Sequence, residues 1–152
     1  LDTSDKVFGA QSKVFIQYEG SLEELGLNLK EGLNILDFRY DNIEEEPYDW
    51  VGYAEVLGFE MVLKTIENCE KWPGYQYILE VFTTDSFQEI FNDRMYDISQ
   101  WMARHIALVC EVATMAEILD ENTGKTFIMN RENWEMECSL VESYTVIRSD
   151  NL

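Results

Sequence analysis

Apolar and polar residues alternate with period two from Lys13 to Tyr18, with Val14, Ile16 and Tyr18 on one side and Lys13, Phe15 and Gln17 on the other, which predicts a strand. The period then lengthens. Leu22, Leu25, Leu29 and Leu33 recur at helical spacing behind Ser21 and Glu24, an S-x-x-E capping box, so "SLEELGLNLKEGLNI" is expected to be a helix. Gly26 and Gly32 each weaken it by about 1 kcal/mol relative to alanine, and Gly32 is placed to end it. In "ILDFRYDN", Leu36, Phe38 and Tyr40 alternate with Asp37, Arg39 and Asp41, the pattern of a half-buried strand with a charged outer face.

Further along, Phe59 to Ile66 and Tyr75 to Thr83 predict an antiparallel hairpin joined through the Pro73-Gly74 turn signal, while Trp50 to Leu57 fits either a short helix or an extended approach to it. In "DISQWMARHIALVCEVATMAEIL", Ile98, Trp101, Met102, Leu108, Val109, Val112, Met115, Ala116 and Leu119 recur at three and four. With Asp97 and Gln100 as a second capping box and no Gly or Pro inside, a helix of about six turns is predicted. His105 falls on its apolar stripe and is expected to be a hydrogen-bonded structural histidine.

"DENTGK" marks a turn and "TFIMN" a short strand. Trp134, Met136, Cys138 and Leu140 alternate with Glu135, Glu137 and Ser139, and the tail is expected to add strand over 144–147. No repeat, linker or composition break divides residues 1–152, so one domain is expected. The fold class these elements predict is α+β, an antiparallel or mixed sheet of about five to six strands packed against one long and one shorter helix.

Composition agrees with a real core, since 46% of the 152 residues are hydrophobic and 13% aromatic. Charge changes the picture more. Thirty Asp and Glu stand against 11 Lys and Arg, a formal net charge of −19. Self-repulsion of that size opposes the compact state. Nucleic acid and anionic membrane are poor partners, because binding a polyanion relies on lysine and arginine displacing its counterions; a basic protein is favoured. No signal-peptide pattern opens the chain at "LDTSDKVFGAQSK", although Leu1 points to a trimmed start, and no apolar run reaches the roughly 18 residues of a membrane span, so a cytoplasmic protein is expected.

Candidate chemistry is sparse. There is no G-x-S-x-G, P-loop, H-E-x-x-H or dinucleotide glycine fingerprint, and His105 is the single histidine. Carboxylates alone serve glycosidase-type chemistry, but with 30 acids a pair at working distance has no specificity. "DNIEEEPYD" and "DENTGKTFIMNRE" lack the ligand register of a calcium loop. Cys69, Cys110 and Cys138 have no CxxC spacing and are expected to be reduced and mostly buried. A non-enzyme without metal or cofactor is the expectation.

The stretch "DNIEEEPYDWVGY" stands out. From Glu19 to Asp49 there are ten acids and only Lys30 and Arg39 as bases. A solubility role needs a net charge of only roughly 2 to 8, and the interleaved aromatics supply binding anchors while carboxylates steer a basic partner. The candidate partner-binding residues are Asp37, Asp41, Glu44, Glu45, Glu46, Tyr48, Asp49 and Trp50. Trp50 and Tyr53 have a second reading, as anchors of this stretch in the core.

The ordered series "SLEELGLNLKEGLNI", "YAEVLGFEMVL" and "YQYILEVFTT", followed by one long amphipathic helix, resembles the small acidic immunity proteins of bacterial polymorphic-toxin and contact-dependent inhibition systems. The likeness spans Ser21 to Leu119 and consists of core positions. It implies a cytosolic antitoxin that binds a toxin domain, often a basic nuclease, and blocks its active site or substrate surface. A nucleic-acid mimic aimed at a DNA- or RNA-binding protein, a small carboxylate-dependent hydrolase, and a subunit or structural adaptor are the other readings.

Overall fold

The structure, a computed structural model, describes residues 9–42, 50–66, 70–83, 95–118 and 122–144. In chain order the elements are β1 (Gly9–Gln17), α1 (Leu22–Leu33), β2 (Arg39–Asn42), β3 (Trp50–Val56), β4 (Phe59–Thr65) and β5 (Tyr77–Thr83). There follow β6 (Met95–Asp97), α2 (Ser99–Cys110), β7 (Ala113–Ile118), β8 (Thr123–Asn130) and β9 (Glu135–Glu142). All nine strands join one sheet in the order β2-β3-β4-β5-β1-β7-β8-β9, with β6 also on β1. Pairing is antiparallel except for the three-residue parallel match of β6 to β1. The expected α+β fold with five to six strands is therefore corrected: among the described residues this is a largely antiparallel nine-stranded sheet with two helices of 12 residues.

Helix α1 forms where its spacing and cap place it. Ser21 Oγ accepts the Glu24 backbone N–H at 3.1 Å, and Leu22, Leu25 and Leu29 are buried. Its end differs from expectation. Asn34, not Gly32, takes the left-handed φ of 56° and donates its N–H to the Lys30 carbonyl, a conformation whose steric penalty asparagine tolerates better than most residues. Gly32 serves the helix–helix contact instead: a Cβ there would lie 2.5 Å from Cys110 Sγ and 2.9 Å from the Val109 carbonyl oxygen.

The six-turn helix predicted over residues 97–119 is a second correction. Glu111 adopts φ 60° and ends α2, and Ala113–Ile118 turns back as a strand against β1, pairing Phe15 with Met115 and Ile16 with Thr114. Thr114, fully buried, donates its Oγ1 to the Ala103 carbonyl at 2.7 Å and ties strand to helix. The second capping box is not formed as expected. Ile98 holds the cap position, while Asp97 Oδ1 accepts the Ser99 backbone N–H at 2.9 Å. The buried stripe runs through Met102, Ala103, Ile106, Ala107 and Cys110. His105 lies off it, half-buried and stacked on the exposed Trp101 with ring centroids 5.4 Å apart.

Both helices pack on one side of the sheet, where Leu25, Leu29 and Ile106 share a core cluster with Val14, Ile16, Leu63 and Leu79. The opposite side carries a smaller cluster of Phe15, Ile78 and Met115 under Trp72. The stretch from Trp50, ambiguous in sequence, is strand β3, and the expected β4–β5 hairpin pairs Phe59 with Thr83 and Thr65 with Tyr77. Between β3 and β4, Leu57 (φ 50°) and Gly58 (φ 83°) form a two-residue turn, the primed geometry that matches strand twist. Strand expected over 144–147 falls outside the described residues apart from Tyr144. Among the described residues no helix is long and apolar enough to cross a membrane.

Cys110 is buried as expected, Cys138 is exposed, and Cys69 lies outside the described residues. Burial pushes the Cys110 thiol from its ordinary 9.0 up to about 12. Burial also raises Tyr75, Tyr40 and Tyr77, with nearby carboxylates adding to the last two. All four groups are neutral when protonated, so the folded chain holds these protons more tightly than the unfolded chain. For the thiol, that stabilisation is complete below pH 9.0 and is lost as pH rises toward about 12. Urea titrations are expected to show the unfolding free energy falling above pH 9, with a shallower fall in Cys110→Ala. A flat profile from pH 9 to 11 contradicts the assignment.

Candidate functional site

The strands on either side of the acidic stretch, β2 and β3, form one end of the sheet, and a pair of glycines fits Tyr40 of β2 there. Strand β2 has only four residues, too short to bury much of itself, yet it is the edge strand. Tyr40 pairs with Gly52 on β3, and a Cβ on Gly52 would come 3.0 Å from the Tyr40 ring. The hydroxyl of Tyr40 reaches α1 at Gly26, where a Cβ would collide with it. Both glycines are needed because one ring is clasped between strand and helix. The Tyr40 hydroxyl is pushed up first by burial and then by the charges of Glu23 and Asp37, a sign of the negative field at this edge.

Register places the candidates. Asn42 pairs with Trp50 and Asp41 with Val51, so residues 43–49 link two adjacent positions at the same end of the sheet. Trp50 is 52% exposed and Asp41 is exposed, while Tyr53 is half-buried opposite Arg39. That separates the two readings of the aromatics: Trp50 is presented to solvent, and Tyr53 is partly packed. Asp37 is exposed but held by Lys30 Nζ at 2.8 Å, which offsets much of its charge for a partner. Asp41 and Trp50 thus meet at the same end of β2 and β3 but on opposite faces of the sheet, Asp37 precedes the other end of β2, and Glu44, Glu45, Glu46, Tyr48 and Asp49 lie outside the described residues.

Sequence reasoning missed two acids. Glu55 on β3 and Glu60 on β4 stand directly opposite each other, and like charges so placed oppose folding. They face the side of the sheet away from the helices, the side that Asp41 also faces, but at the opposite end of β3 from Trp50, with Arg39 and Lys64 between them and Asp41 on that face. Register alone reveals this, since the residues are five apart across a turn whose type the sequence left open.

A cavity of about 460 Å³ opens between β1, β5 and the start of α2, lined by Lys13, Glu80, Phe82, Asp97, Ser99 and Glu117 among others. Each of its acids is engaged. Glu80 meets Lys64 at 3.4 Å, Asp97 holds Ser99, and Glu117 takes both Lys71 at 3.4 Å and the Trp72 indole N–H at 3.2 Å. These contacts fix strands and the residue 70–76 segment in place. Among the described residues no group of three or more His, Cys, Asp or Glu converges to hold a metal ion. No protein-family profile and no curated protein matches the chain.

Proposed function

We propose that this chain is a non-catalytic, cytoplasmic immunity protein that binds and neutralises a cognate bacterial toxin domain, a basic nuclease, through the acidic edge around β2 and β3. The observation that carries the reading is Trp50, 52% exposed and paired with Asn42 at the end of the edge strand β2, in a chain of net charge −19. An aromatic presented to solvent within a negative field combines an anchor with a steering potential. The cost of that field is visible in the opposed Glu55 and Glu60. Binding at the surface that holds nucleic acid would inhibit the toxin by occupying its lysines and arginines.

The test uses the toxin domain recovered from producing cells and identified by mass spectrometry. Changing Glu44, Glu45 and Glu46 together to glutamine is expected to slow association about tenfold at low salt, with dissociation little altered. Wild-type association is expected to slow steeply as salt is added. An unchanged association rate at low salt rejects the acidic edge as the binding surface.

A further inference from the structure

The far end of the sheet presents a second surface of different character. Strand β9 has eight residues and terminates the strand order, so no strand lies beside its outer edge among the described residues. Such an edge exposes a row of backbone N–H and C=O groups able to pair with another extended chain. Its two faces differ. Cys138 and Leu140, on the helix-bearing side of the sheet, are both exposed, Leu140 at 70%. Glu135 and Glu137 point to the other side and, among the described residues, accept from the neutral amides of Asn133 and Asn130, at 3.5 and 3.2 Å. The strand "EMECSLVE" contains no lysine or arginine.

We propose that β9 accepts an extended segment by strand addition, one in which lysine or arginine alternates with aliphatic residues. Its basic side chains lie over Glu135 and Glu137, its aliphatic ones over Cys138 and Leu140, and the backbone extends the sheet. Charge selects this occupant over a second copy of the chain. Two copies would set −19 against −19 and bring together two strands whose only charged residues are glutamates. Glutamates on an edge discourage self-pairing, and here they leave a hydrogen-bonding row open to a basic strand. This surface is at the opposite end of the sheet from β2, so the proposal goes beyond the toxin reading and stands or falls separately from it.

The experiment uses a fluorescein-labelled octapeptide alternating lysine and valine, and a second version carrying N-methyl groups on backbone nitrogens of both strand edges. The two peptides have the same charge, but only the first can pair with a strand. By fluorescence anisotropy at low salt, the unmethylated peptide is expected to bind at least about tenfold more tightly than the methylated one. Glu135→Gln with Glu137→Gln is expected to weaken the unmethylated peptide by about tenfold. Hydrogen exchange should slow at amides of β9 on binding. Equal affinity for both peptides, no binding of either, or a dimer of the chain alone protected along β9 overturns the proposal.

Discussion

Replacing Trp72 with alanine is expected to lower the unfolding free energy by about 3–5 kcal/mol. The side chain is 3% exposed and closes the smaller core cluster over Phe15, Ile78 and Met115. The Phe15 ring packs beside it, tilted by 54° with centroids 6.4 Å apart. On β8, Gly124 leaves the space that Trp72 and Met115 fill, since a Cβ there would meet Met115 Sδ and the indole. The segment that carries Trp72 is tied down at both ends. Tyr144 N–H donates to the Lys71 carbonyl at 3.0 Å, and Gln76 N–H to the Ile16 carbonyl at 3.2 Å. Alanine removes the lid and leaves Phe15 and Met115 facing water. Trp72→Phe keeps most of the apolar volume and deletes only the N–H to Glu117, which retains Lys71, so a loss of about 1–2 kcal/mol is expected. Equilibrium urea unfolding measures both. A loss below about 1 kcal/mol for the alanine variant contradicts the assignment of Trp72 as core.

Gly32→Ala is the second large expected effect, and its sign is diagnostic. In an isolated helix, alanine is better than glycine by about 1 kcal/mol. Here the new methyl enters the α1–α2 contact, 2.5 Å from Cys110 Sγ and 2.9 Å from the Val109 carbonyl oxygen. A side-chain sulfur can rotate away, but a backbone oxygen at the end of α2 cannot move without moving the helix. Overpacking of this kind costs about 1–3 kcal/mol beyond the propensity gain. A net destabilisation of about 1–2 kcal/mol is expected by thermal or urea unfolding. Adding Cys110→Ala should recover only part of it, because the Val109 oxygen remains. A stabilised Gly32→Ala variant places the two helices further apart than they are here.

Local chemistry made part of this fold legible. The Ser21 cap, the leucine stripe of α1 and the alternation of β1 each depend on residues within a few positions of one another, and the structure places each close to where spacing puts it. The β4–β5 hairpin was legible for the same reason. Residues 112–118 were not. Val112, Met115 and Ala116 satisfy a helical period as well as Thr114, Ala116 and Ile118 satisfy a strand period, and only pairing with β1 decides between them. His105 was misplaced by the same error, because a helix assumed to run on to Leu119 had its buried stripe averaged over residues that belong to a strand.

The candidate site divides in the same way. Composition and order along the chain were enough to establish the surplus of acid, its concentration between Glu19 and Asp49, and the aromatics inside it. Charge counts and neighbouring residues do not depend on how distant segments meet. Tertiary structure alone paired Asn42 with Trp50, attached Lys30 to Asp37, set Glu55 against Glu60, and left β9 as an eight-residue edge at the opposite end of the sheet. Those outcomes depend on strand register and strand order. Both are fixed by burying two apolar faces at once, and a register shift of one residue would turn every side chain to the other face.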